Sequence, residues 1–270
     1  MNFYRRQSPT TDPGSPVFAD LPADLPSLAR IIGGVMVHRD CTAAFGFGLP
    51  ESRRAEAETR DVAAILTHLG SLAPRPPSER FAGTCRDFTV LMVSMLRAQG
   101  RPARARAGFS GYFAEGWFDD HWVVEVWEDD AWRLVDAQLL SAPEGTYTKL
   151  EVDPLDVPRD AFLVGGQAWL ECRRERRDPA TLGVHSAGLS GMWEVQGNVI
   201  RDLAALNSVE VLPWDDWGLI PVHYDKLPAD DVALLDTLAE VSAPGGPLAK
   251  AQEAYRSDPR IARPTSPGQI

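Results

Sequence analysis

The stretch Gly83-Thr84-Cys85-Arg86-Asp87-Phe88 constrains this chain more than any other. Threonine is a good helix N-cap, and Asp87 stands three residues on, where the acid of a capping box belongs. A helix opening here carries Cys85 in its first turn. Phe88, Thr89, Met92 and Leu96 follow Cys85 at offsets of three, four, seven and eleven, which trace one helical face. The thiol is therefore expected to point with that face toward whatever packs on it. A helix N-terminus carries partial positive charge, the setting in which cysteine nucleophiles are activated. A structural cysteine has no need of that position.

The helix needs a core to pack into, and the chain has the means. Of its 270 residues 44% are hydrophobic and 24% charged, values ordinary for a globular protein. The net charge of -11 argues against a nucleic-acid partner and against binding to anionic lipid. Three widely separated cysteines, Cys41, Cys85 and Cys172, do not make a disulfide framework, so a reducing compartment is expected. No apolar run approaches a membrane span. The segment Met1-Asn2-Phe3-Tyr4-Arg5-Arg6-Gln7-Ser8-Pro9 has no apolar core behind its basic pair, so no signal peptide is expected and the cytoplasm is the default location.

Residues 1–24, rich in Pro, Ser, Thr and Asp, read as a flexible arm. Residues 25–255 read as one domain, with its core at about 80–140 and a helical C-terminal extension at about 150–245; residues 256–270 read as a flexible tail. Ser27 is the expected cap of a first short helix stopped by Gly33-Gly34, and a charged helix is expected from about Glu51 to Leu72. Gly100 is the expected C-cap of the cysteine helix, with Pro102 behind it. Residues 103–109 read as a strand with Arg104 and Arg106 on one face. Further helices are expected over 160–176, Glu194 to Asn207 and Asp230 to Val241.

The run His121-Trp122-Val123-Val124-Glu125-Val126-Trp127 and the returning Trp132-Arg133-Leu134-Val135-Asp136 form an expected hairpin about an acidic turn. With the turn centred between Glu128 and Asp129, His121 lies directly opposite Asp136, and opposed side chains on one face stand roughly 5 Å apart. A carboxylate there fixes an imidazole's tautomer. Cysteine, histidine and aspartate in that order, on a helix start and two adjacent strands, suit nucleophilic acyl chemistry. The thiolate attacks a carbonyl, the histidine moves the proton, the aspartate orients the histidine, and helix N–H groups receive the oxyanion.

These blocks resemble the transglutaminase-like superfamily, a branch of the papain-like fold. The likeness runs through Gly83–Phe88, Leu96-Arg97-Ala98-Gln99-Gly100-Arg101-Pro102-Ala103-Arg104, His121–Val126 and Leu134-Val135-Asp136, roughly residues 80 to 140. Segments 197–207 and 213–218 are similar to an extension found in an uncharacterised bacterial branch. Many members carry tryptophan two residues after the histidine; here that position is Val123, and Trp122 is adjacent instead. The resemblance implies an α+β papain-like or transglutaminase-like core, a cysteine helix packed on an antiparallel sheet, with N- and C-terminal helices flanking it. It implies Cys85 as nucleophile, His121 as acid/base and Asp136 as its orienter, with no metal or organic cofactor. The expected partner is a peptide or other amide-containing substrate, with no nucleic acid or membrane. Tyr112, Trp117, Asp120, Arg104 and Trp214 are the candidate substrate-binding residues, each also readable as packing or as a solvated face.

Cleavage or acyl transfer at an amide through a thioester is the expected chemistry, hydrolysis before cross-linking. Two alternatives stay open. An arylamine N-acetyltransferase uses the same three residue types, and a binding or assembly module can keep a vestigial triad. Cys41 and Cys172 read as plain thiols, and His38-Arg39-Asp40-Cys41 as a loop packed on the core.

Overall fold

The computed structural model describes residues 1–148 and 151–263. The first helix, α1 (Leu25–Val35), begins at Asp24, whose carboxylate accepts from the Ser27 N–H at 2.8 Å. Ser27 is thus a first-turn residue and not the cap, and the helix runs through Gly33-Gly34 where a stop is expected. The reason for one of these glycines is spatial. A Cβ on Gly33 would lie 1.6 Å from the Ser141 carbonyl oxygen. Gly33→Ala should therefore destabilise the protein by about 2–4 kcal/mol in urea unfolding, against the ~1 kcal/mol that alanine normally gains in a helix.

The next elements are β1 (Met36–His38), α2 (Val62–Leu69), β2 (Phe81–Gly83), α3 (Cys85–Ala98), β3 (Ala103–Ala114), β4 (Trp117–Glu128), β5 (Ala131–Val135) and α4 (Ala137–Leu140). The long charged helix expected from Glu51 is two pieces: a 3-10 helix over Glu51–Glu58, then α2. Asp61 divides them, because its side chain caps α2 by accepting from the Ala64 N–H at 2.8 Å. The capping box at α3 is present, with the Thr84 N–H donating to Asp87 at 2.8 Å. Gly100, at φ +73°, follows the helix as expected.

The described residues fall into two compact units. The first comprises Met1–Ala105 and Trp122–Pro158, the second Arg106–His121 and Arg159–Ile270. In the first, α3 is central: every residue from Cys85 to Arg97 is buried. Phe88, Leu91 and Met92 join Leu28, Ile32, Ile65, Val124 and Val135 in one core. The expected amphipathic stripe is therefore too narrow a description, and the polar residues inside are paired. Thr89 donates to the Trp122 carbonyl at 3.0 Å, Arg97 Nε to the Ala103 carbonyl at 2.9 Å, and Arg86 meets Asp87 at 3.0 Å. The expected flexible arm belongs to this unit's packing: Tyr4 and Thr11 are buried, and Arg97 donates to the Thr11 hydroxyl at 3.0 Å.

The second unit adds β6 (Phe162–Val164), α5 (Gly165–Arg173), β7 (Leu182–Val184), β8 (Leu189–Ser190), α6 (Met192–Leu206), α7 (Ala229–Ser242) and α8 (Leu248–Ser257). Its strands run in the order β6-β3-β4-β7-β8. The β3–β6 pairing is antiparallel and the β4–β7 pairing parallel, so the sheet is mixed. The segment expected as one helix over 160–176 is a strand followed by α5, and the expected loop at 183–191 holds two short strands. Arg106 is buried against α6, forming a two-pronged pair with Asp202 at 2.8 and 2.7 Å. Neither strand arginine lies on a solvated face. The start of the expected tail is packed: Ile261 is buried and its carbonyl accepts from the Trp217 indole at 2.9 Å. Residues 264–270 of that tail lie outside the described residues. Among the described residues, no helix is long and apolar enough to cross a membrane.

Candidate active site

Cys85 occupies the first position of α3 and is 7% exposed. The N–H groups of a first helical turn have no carbonyl partner within the helix. The parallel pairing of β1 with β2 matches His38 with Gly83, which draws the turn at Cys41 toward the start of α3. The Cys41 thiol is pushed up to about 11 by burial, then by the charges of Asp40 and Cys85. The Cys172 thiol, in the second unit, is also pushed up to about 11, mainly by burial. All three cysteines are free.

Tyr147 is a neighbour that sequence reasoning missed. Its ring centre lies 6.3 Å from Phe88 and 6.0 Å from Phe45. Burial drives its phenol well above the ordinary value, and the His38 backbone is hydrogen-bonded to it. It lines a cavity of about 430 Å³ with Leu139, Leu140, Val152 and Pro154. Three-residue strands paired across more than forty residues leave no periodicity, so no sequence signal brings this turn and this loop together.

Asp136 belongs to the same unit. It has left the strand and caps α4, accepting from the Leu139 N–H at 2.9 Å. The β4–β5 ladder pairs Val124 with Val135 and Glu128 with Ala131. The turn is Asp129-Asp130, both at positive φ (+50° and +58°), one residue later than expected. A two-residue turn with both residues left-handed matches the twist of its strands, and aspartate tolerates that region. Continuing this register puts Asp136 against Val123, so His121 is not directly opposite it. The shift is an even number of residues along one strand, so the expected sheet face is kept.

In the second unit His121 is 2% exposed and ringed by aromatics. Phe113 stands edge-on at 4.9 Å, Tyr112 at 6.1 Å and Phe162 at 6.4 Å between ring centres. The two preceding carboxylates alternate along β4. Asp119 accepts from the His185 N–H at 2.9 Å, and Asp120 from the Asn198 amide at 2.6 Å. Burial pushes both upward, partly offset at Asp119 by His185 and at Asp120 by Asn198 and Arg201. Trp117 stacks obliquely on His185 at 5.0 Å. Tyr112, Trp117 and Asp120 thus share the strand pair that carries His121. Arg104 does not join them. In the first unit it meets Glu125 at 2.6 Å and lies over the Trp132 and Tyr4 rings at 4.1 and 5.1 Å, a structural placement. Trp214 follows α6 with a partly exposed indole.

Glu194, in the first turn of α6, is pushed up to about 7 by burial first and then by Asp120, against the pull of Arg201. Its unfolded value is near 4.5. The folded state therefore holds the proton longer as pH rises, so the contribution to stability is complete below pH 4.5 and lost by about pH 7. Glu194→Gln should raise the stability of the protein above pH 7 by up to about 3 kcal/mol and leave it unchanged near pH 4, as read from urea midpoints at the two pH values.

The chain is of the α+β class and carries a buried helix that opens on a cysteine. Residues 69–137, from the end of α2 to the start of α4, match the transglutaminase-like superfamily. That stretch, about a quarter of the chain, is what is transglutaminase-like. No curated protein sequence matches it. Among solved structures it is similar to a candidate cysteine protease from Cytophaga hutchinsonii, at 17% identity and a TM-score of 0.34 over 60% of this chain and 44% of that one. The chain spans less than half the length of that relative.

Proposed function

We propose that the protein is a cysteine-dependent enzyme that cleaves, or transfers an acyl group from, an amide bond in a peptide or similar substrate, with Cys85, His121 and Asp136 as its triad. His121 takes the Cys85 proton as the sulfur attacks the carbonyl carbon. The oxyanion forms beside the N–H groups at the start of α3. The C–N bond then breaks, the amine leaves with the proton from His121, and a thioester remains on Cys85. Water, deprotonated by His121, releases a carboxylic acid; an amine in its place gives a new amide. Hydrolysis is the reading we favour, in the cytoplasm.

The observation that carries this reading is the bond from Thr89 to the Trp122 carbonyl. Thr89 lies one turn beyond Cys85 on the same face of α3, and Trp122 directly follows His121 in β4.

The test is covalent trapping. Brief exposure to p-nitrophenyl acetate should leave one acetyl group on Cys85, seen by peptide mass spectrometry and absent in Cys85→Ala. Iodoacetamide near neutral pH should label Cys85 at least about tenfold faster than Cys41 or Cys172, whose raised thiol values keep the reactive thiolate scarce. Equal slow labelling of all three would favour a binding or assembly module. Rapid acetyl transfer from acetyl-coenzyme A to an aromatic amine would favour the N-acetyltransferase alternative.

A further inference from the structure

We propose that the second unit contains a binding site for an organic ammonium ion, at the N-terminal end of α6, with the Glu194 carboxylate as its anchor. A cavity of about 210 Å³ opens there between the first turns of α6 and the segment 216–223. Glu194 lines it, is 8% exposed, and receives no hydrogen bond to its carboxylate among the described residues. A buried carboxylate without a donor is costly to keep, and native proteins pair such groups. Arg201 attracts Glu194 but makes its hydrogen bonds elsewhere, donating to Asp216 at 3.2 Å and to the Asp215 carbonyl at 3.4 Å. Glu194 is completed from outside the chain, by a proton or water, or by a bound cation that takes their place.

The walls select the donor. Asp216 shares the cavity and Asp120 lies near enough to Glu194 to raise it, so the field is negative, with Arg201 offsetting part of it. A cation is favoured over an anion or a neutral alcohol. Trp193 lines the same space with its indole partly exposed and its N–H tied to the Ser190 carbonyl at 3.1 Å. An indole face attracts an ammonium group. Ile220, Pro221 and Val222 form an apolar wall, which suits a short alkyl stem. Among the described residues no group of three ligating side chains could hold a metal ion, so an organic amine is the better fit.

The test uses the full chain and n-butylammonium chloride, with n-butanol and sodium butyrate as controls, read by saturation-transfer NMR. Saturable binding of the ammonium ion alone is expected. Glu194→Gln should weaken it about tenfold or more, the loss of one charged hydrogen bond. Trp193→Leu should weaken it a few-fold, the loss of a cation–π contact. Affinity should rise about tenfold between pH 6 and pH 8 as Glu194 ionises. The charged groups facing it are Asp120 from β4, Arg201 from α6, and Asp216 and His223 from the lining segment. The profile should flatten in Glu194→Gln and persist in His223→Asn. Absence of saturable binding, equal binding of n-butanol, or a Glu194→Gln variant that folds and binds normally would each overturn the proposal. Should that variant not fold, an unchanged affinity in Trp193→Leu would overturn it.

Discussion

Exchange of Cys85 for alanine is expected to abolish the acetyl adduct and to lower turnover of any substrate by at least a thousandfold, while the protein stays folded. The side chain is small, so the core loses only a sulfur atom, but the reaction loses the atom that bonds to the acyl group. His121→Ala should cost about 10²–10⁴ in kcat/KM through loss of the proton carrier. The more discriminating variant is Asp136→Asn. Asp136 caps α4 through the Leu139 N–H, and asparagine caps a helix about as well as aspartate. Its stability should therefore stay near that of the parent, while kcat falls if Asp136 is the negative partner proposed for the imidazole. Asp136→Ala should lose the cap as well, about 1 kcal/mol. Rates measured on p-nitrophenyl acetate beside urea unfolding of each variant separate the two roles. If Asp136→Asn acylates Cys85 at the parental rate, Asp136 is a cap and the proposed triad is wrong.

Asp202→Asn is expected to cost about 3–5 kcal/mol of stability, a large share of what holds a domain together. Arg106 and Asp202 are fully buried, and their two-pronged pair is extended by the Arg106 donation to the Ser242 carbonyl at 2.6 Å and by the Ala107 N–H to Asp202 at 3.1 Å. Removing one charge leaves the guanidinium unpaired in a medium that solvates it poorly. Replacing both members, Arg106→Met with Asp202→Leu, should recover part of the loss, because no buried charge is then left alone. Urea midpoints of the single and double variants measure this directly. A loss below 1 kcal/mol in Asp202→Asn would mean that water reaches the pair.

Where the signal is local, the residues could be read without the fold. The capping box at Thr84 and Asp87, the positive-φ Gly100 and the extent of α6 depend on neighbours within one or two helical turns, and all stand where the sequence puts them. The α+β class follows from the resemblance those residues carry, and the superfamily match covers the cysteine helix and the three strands after it. Failures mark the places where a distant segment supplies the energy. Gly33 is read as a stop, yet it sits inside α1 because Ser141 needs the space. Arg104 and Arg106 are read as a solvated face, yet each is buried on a carboxylate more than twenty residues away in the chain or further.

The sequence alone determined which residue would begin the central helix and that a strand and a hairpin would follow it, because capping and side-chain period act over a few residues. Tertiary structure decided what surrounds Cys85 and His121, how the β4–β5 turn is centred, and that Glu194 is buried beside Asp120. Those outcomes depend on desolvation and on contacts between segments far apart in the chain, and neither leaves a mark on the residues nearby.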